Sequence, residues 1–189
     1  EMSFATQEDV FNALEPVLSD VFTKLTKNFH ISKPPFKKIP FDECVAKYGN
    51  DKPDLRNPLL LSNVTEMFKN SSFKLFADSI NKGSIVIAIP APNTKDQPRT
   101  FFDKLNSWAK SEDQGGMGYV QFVNNEGKGP IANNLDKDRL KKFLEIDGVN
   151  ANSSIFFLCG KVDEIMEFAA IARMKIANEL KLIKENEFQ

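Results

Sequence analysis

Histidine is almost missing from this chain: His30 is the single one among 189 residues, and cysteine is limited to Cys44 and Cys159. A lone histidine without a surrounding set of cysteines or carboxylates cannot build a zinc centre, which needs several protein ligands. As a general base it would need a partner to orient it, and Asn28, Ile31 and Ser32 offer none. Ser–His and Cys–His nucleophilic chemistry is excluded with it. Two distant cysteines in no C-x-x-C spacing read as packing thiols of a reduced, cytoplasmic protein. Long apolar runs are missing too. The longest, Ile85 to Ile89, is strand-sized, far short of the roughly 20 residues of a membrane-spanning helix. Positive charge is not in excess, since 25 basic residues face 26 acidic ones for a net charge of −1. That balance excludes a general nucleic-acid coat and leaves any RNA contact to a local patch. The glycines at 115, 116 and 118 and at 127 and 129 match neither G-x-G-x-x-G nor the phosphate-binding G-x-x-x-x-G-K-[ST] loop, and read as turns. Glu1-Met2-Ser3-Phe4 carries no secretory signal, and an acidic residue ahead of the methionine reads as the interior of a longer chain.

What is present is the patterning of a packed α+β protein. Val10, Phe11, Leu14, Val17, Leu18, Val21, Phe22 and Leu25 recur at helical spacing, with Thr6 and Asp9 as an N-terminal cap. Pro16 inside that stretch predicts a kink or a split. Pro34, Pro35 and Pro40 make residues 28–40 a linker. A short helix then presents Phe41, Val45 and Tyr48 on one face and ends at Gly49. Ser62 is placed to cap another, carrying Val64, Met67 and Phe68. Ser72–Ala77 and Ser84–Ile89 read as strands of a hairpin turning at 81–83, the second of them interior. A helix over 98–110 (Phe101, Leu105, Trp108 and Ala109 inward) and a strand over 117–123 follow. Then come a helix capped by Asp136, a strand over 154–159, and a long final helix marked by Val162, Ile165, Ala169, Arg173 and Ile176. Phe73, Trp108, Phe122 and Phe156 could stack nucleobases, but their spacing fits inward-facing positions equally well, and core packing is favoured. The sum is an α+β two-layer sandwich: an antiparallel sheet in β-β-α-β-β-α order, covered on one face by helices, with an N-terminal helical segment beside it. Its divisions fall at 1–40 (helix and linker), 41–70 (connector), 71–184 (sandwich) and 185–189 (tail).

One polar constellation stands out. Asp51, Lys52, Asp54, Arg56 and Asn57 lie on a stretch too rich in proline, glycine and charge to be regular or buried. Such a loop serves either as a structural joint, with Arg56 paired to a carboxylate, or as a contact for RNA phosphate or an adjoining domain.

The stretch Tyr48-Gly49-Asn50-Asp51-Lys52-Pro53-Asp54-Leu55-Arg56-Asn57-Pro58 also resembles the Y-G-S-D-K-P-D-L-R-N-P signature of bacterial-type aspartate–tRNA ligases, with Asn50 in place of serine. Glu1-Met2-Ser3-Phe4 resembles the E-x-S-F end of motif 2 of class II ligases, and Gly129-Pro130-Ile131-Ala132 resembles the family's G-P-I-A. Asn133-Asn134 departs from the Lys-Phe that follows there. Ile155-Phe156-Phe157 and Arg173-Met174-Lys175 match stretches near the end of the family's insertion. The resemblance implies a GAD-type (DCoH-like) insertion domain of β-β-α-β-β-α order, also found in archaeal glutamyl-tRNA amidotransferase. For the parent it implies ATP and Mg as cofactors, L-aspartate and tRNA as partners, and a homodimer. The ATP-holding and aspartate-holding residues would lie outside these 189 residues. On that expectation the chain carries no catalytic, cofactor-binding or metal site of its own, is monomeric and touches no membrane. The connector loop is its one candidate contact with tRNA or a neighbouring domain.

Overall fold

In the computed structural model, which describes residues 1–26 and 29–188, five strands form one antiparallel sheet in the order β2-β3-β6-β4-β5. Asn28, where the linker was expected to begin, and Gln189, the end of the expected tail, lie outside the described residues. The strands are β2 (Ser62–Asn63), β3 (Ile85–Ala91), β4 (Gly118–Val123), β5 (Glu126–Lys128) and β6 (Ser154–Gly160). A short parallel pair, β1 (His30–Ile31) with β7 (Glu187–Phe188), stands apart. The helices are α1 (Gln7–Leu25), α2 (Phe41–Tyr48), α3 (Thr65–Phe68), α4 (Lys74–Asn81), α5 (Arg99–Ser111), α6 (Lys137–Phe143) and α7 (Val162–Glu179).

The interior strands β3 and β6 are apolar on both faces, and alternate residues enter two cores. Ile87, Ile89, Phe156 and Leu158 meet Phe102, Leu105 and Ala109 of α5 and Ile165, Ala169, Ala172 and Ile176 of α7. Val86, Ala88, Ile155 and Phe157 point the other way, onto Phe68 of α3, Phe76 of α4 and Phe143 of α6. The expected α+β fold with its antiparallel sheet is present, but helices were expected on one face only: three short helices also cover the face opposite the two long ones, because β3 and β6 are apolar on both sides. Phe122 and Phe156 are fully buried and Trp108 stacks on Phe168 at 5.3 Å, so the aromatic side chains build core.

Several local expectations are corrected. Ser72–Ala77 is not a strand: Phe73, Phe76, Ala77 and Ile80 sit at helical spacing, and α4 packs them on Phe68 and its neighbours. The first strand of the β-β pair is therefore β2, which pairs Ser62 with Ala88 and Asn63 with Ile87. Ser62 is in that strand, and Asn63 supplies the acceptor for the Thr65 amide at 3.0 Å. The hairpin forms instead between β4 and β5, where Asn124 and Asn125 take φ of 53° and 68°, the turn that matches strand twist. In α2 the buried residues are Cys44 and Tyr48, while Phe41 faces solvent. Phe102 is the fully buried phenylalanine of α5, with Phe101 partly buried beside it against the same core, and Val162 at the start of α7 is exposed. Pro16 does not split α1, which runs unbroken from Gln7 to Leu25 behind the Thr6–Asp9 capping box. None of its residues is buried; Leu14, Val17 and Leu18 each remain about half exposed. His30, expected in an irregular linker, lies in β1 and is exposed.

Candidate functional site

The connector loop leaves α2 at Gly49 and reaches β2 alongside α7, which it meets at Ala170 and Arg173. Its path is set by local chemistry. Asn50 accepts the Lys52 amide at 3.0 Å, and Asp54 accepts the Arg56 amide at 3.0 Å, two side chains that stand in for backbone turns. The structure divides the five candidate residues into three groups. Asp51 and Lys52 form an exposed ion pair at 2.7 Å. Asp54 and Arg56 form a two-pronged pair, with Nε and Nη2 donating to the carboxylate at 2.9 and 2.7 Å. Asn57 turns inward and is 1% exposed. Its Nδ2 donates to the Arg173 carbonyl at 3.2 Å, and its Oδ1 accepts the Leu59 amide at 3.0 Å.

The electrostatics follow from this pairing. The hydrogen bond from the Arg56 side chain, opposed by partial burial, holds the Asp54 carboxyl below its ordinary range. Lys52 does the same for Asp51. Each cation on the rim is thus already matched by its own aspartate, and the rim carries no net charge.

Arg173, from α7, holds this loop from the inner side, a contact that the helical pattern does not reveal. It lies within the apolar stripe of the last helix, and it is 1% exposed. Its guanidinium donates to the carbonyls of Asp54, Asn57 and Leu59 at 3.2, 2.7 and 2.5 Å, and lies 4.9 Å from the centre of the Tyr48 ring. The signal available in the sequence was an arginine on the inward face of an amphipathic helix, where a charge has to find buried acceptors.

Elsewhere the described residues hold no group of three or more His, Cys, Asp or Glu that could take a metal ion. No helix of the described residues is long and apolar enough to cross a membrane. Cys44 is buried and Cys159 half-buried, both as free thiols, and burial pushes the Cys159 thiol up.

The sequence pattern of the GAD domain matches residues 76–182, which covers more than half of the chain. The chain belongs to the GAD domain family. Among relatives, this GAD-domain chain is 49% identical over its whole length to the aspartate–tRNA(Asp/Asn) ligase of Gluconobacter oxydans. It is 48% identical to the ligase of the same name from Acidiphilium cryptum and 45% to that of Rickettsia bellii. It covers 32% of the Gluconobacter and Acidiphilium proteins, so the chain spans about a third of the length of the curated relatives it matches. The matched GAD span begins inside α4, so Arg173 falls within it and the loop that Arg173 holds falls outside.

Proposed function

We propose that this chain is the insertion-bearing part of an aspartate–tRNA ligase, and that it braces the ligase while other parts carry out the chemistry. The observation that carries this reading is full-length similarity of up to 49% to ligases of that name. The whole enzyme joins L-aspartate to tRNA at the expense of ATP, acts in the cytoplasm and works as a homodimer. ATP, Mg and aspartate are held by segments beyond these residues. In the connector, Lys52 and Arg56 are each taken by an aspartate, which leaves neither free to hold a phosphate. On this reading the chain alone does not form the adenylate, because the cations of the crowded phosphate centre belong to other parts of the ligase.

The Asp54–Arg56 pair and the inward Asn57 support the structural joint for the loop as a whole; of the two contacts open to its rim, one with an adjoining domain has the better physical support. An RNA phosphate would have to draw Arg56 away from a two-pronged carboxylate, whereas a protein surface with alternating charges can meet both partners as they stand. The half-exposed apolar stripe of α1 supports the same assignment, because a helix with no buried residue calls for a surface to lie against. The second reading is a non-enzymatic GAD module that binds tRNA or serves structure, as in glutamyl-tRNA amidotransferase; whole-length similarity that includes α1 and the connector favours the ligase. Aspartate-dependent pyrophosphate exchange by the 189 residues should be absent and should appear in the full ligase; exchange by the chain alone overturns the assignment. Titration with tRNA at low and moderate salt separates the roles of the loop. Weak binding that survives Lys52→Ala and Arg56→Ala supports the interdomain role, and binding lost in both supports RNA contact.

A further inference from the structure

Among the described residues, Arg173 is the one lysine or arginine that is buried. A guanidinium in a protein interior is costly unless its donors and its charge are met, and it remains protonated there. Burial pulls its pKa down, opposed by Tyr48, Asp54 and Cys44. Among the described residues no carboxylate completes an ion pair with it: the Asp54 carboxylate is committed to Arg56, and Asp54 offers Arg173 only its backbone carbonyl. What Arg173 recognises is therefore the shape of the loop. The carbonyls of residues 54, 57 and 59 converge on one planar fork only when the intervening backbone takes a single path. The bond from Asn57 back to the Arg173 carbonyl closes the same contact from the other side. Tyr48, which lies against the guanidinium, ends the helix whose next residue, Gly49, presses on Ala170 one turn earlier in α7.

We propose that Arg173 is a positioning residue: it locks the Asp54–Leu59 backbone to α7, so that the Asp51–Arg56 rim is presented in one fixed shape. A second part of the inference is that the connector from Phe41 packs into the same core as the sheet, so that the folded domain begins well before the matched GAD span. Leu59 and Leu61, on the far side of the lock, already belong to the core formed with α5 and α7. Lysine cannot replace arginine here, since a single ammonium group does not reproduce the rigid fork that reaches three carbonyls. The functional meaning of the lock rests on the interdomain reading of the rim, but the lock itself is measurable without any partner.

The test is residue-resolved amide hydrogen exchange on the 189-residue chain, comparing the parent sequence with Arg173→Lys, Arg173→Met and Asn57→Ala. Expected is a graded local opening. Amides of Arg56, Asn57 and Leu59 exchange about tenfold faster in Arg173→Lys and about a hundredfold faster in Arg173→Met, while β3 and β6 stay within about threefold. Asn57→Ala, which leaves the charge in place, opens the same amides, and adding it to Arg173→Met has little further effect. The Nε–H of Arg173 itself should give a slowly exchanging signal in nitrogen-edited spectra, absent in both Arg173 variants. Equal protection of the loop in all variants overturns the proposal. So does acceleration of β3 and β6 by the same factor as the loop, which would make Arg173 a support of global stability only. Should Arg173→Met fail to fold, Arg173→Lys and Asn57→Ala carry the same comparison. Loss of tRNA binding in Lys52→Ala with the loop still protected would defeat the interdomain reading and leave the lock standing.

Discussion

Gly49→Ala is the substitution whose cost the structure states most directly. Gly49 closes α2 with φ of 84° and ψ of −6°, and its amide donates to the Val45 carbonyl at 2.8 Å. An added Cβ would lie 2.8 Å from the Ala170 Cβ, 2.8 Å from the Met166 carbonyl oxygen and 2.9 Å from the Ala170 nitrogen. Two of these three atoms are helix backbone and cannot move aside alone. Left-handed backbone costs a side-chain-bearing residue about 1–2 kcal/mol. Forcing a methyl group into a filled site adds about 1–3 kcal/mol. The sum is about 3 kcal/mol, which lowers the melting temperature of a chain this size by about 6–12 °C. Gly83→Ala supplies the internal control. Its φ is 90°, but nothing lies within 4 Å of its added Cβ, so it bears the conformational cost alone, about 1 kcal/mol. Urea unfolding followed by the fluorescence of Trp108, which stacks on Phe168 of α7, reads both variants with one probe. If the two substitutions cost the same, the close approach of the connector to α7 is refuted, whatever the size of either effect.

Three further outcomes follow from burial and charge. Phe157→Ala should cost about 3–5 kcal/mol in the same assay, because Phe157 is fully buried with ring centres of Phe68 and Phe143 both 5.1 Å away; a loss below about 1 kcal/mol would contradict the second core. Leu14→Ser with Leu18→Ser should leave the unfolding midpoint within about 0.5 kcal/mol, since α1 buries nothing, and should reduce any self-association seen in sedimentation. A large stability loss would mean that α1 packs on the domain after all. Asp54 has a lower pKa folded than unfolded, so its contribution is present above the ordinary aspartate value near 3.8 and is lost as pH falls through the depressed folded value. Protection of the Arg56 amide should accordingly be flat from neutral pH to about 4 and fall below it, with no such fall in Asp54→Asn. A fall that begins near pH 6 would assign the lock to another group.

Reading the sequence succeeded where a period persisted for several turns and failed where it did not. α7 and α5 were legible because their apolar residues repeat over 18 and 13 residues. β3 and β6 were legible as apolar runs of strand length. Ser72–Ala77 misled because six residues do not separate a period of two from one of 3.6. Extending the window to Ile80 exposes the helical spacing of Phe73, Phe76, Ala77 and Ile80 that packing on Phe68 and Phe157 selects. The connector loop was legible as an ordered, irregular segment from its prolines and charges. Its division into an outward rim and an inward Asn57 was not, because that depends on Arg173, 116 residues further along the chain. A contact at such separation leaves no local pattern; its one trace is an arginine set among the alanines of the buried stripe of α7.

The edges of the sheet carry a last consequence. The two outer strands, β2 and β5, are two and three residues long, while the interior β3 and β6 each run for seven. An outer strand that short offers hardly any free main-chain donors or acceptors in register. An incoming polypeptide therefore cannot extend the ladder, and molecules released during synthesis cannot zip together along it. Recognition by whatever surrounds this domain has to run through side chains on helices and loops, and so stays open to tuning one residue at a time.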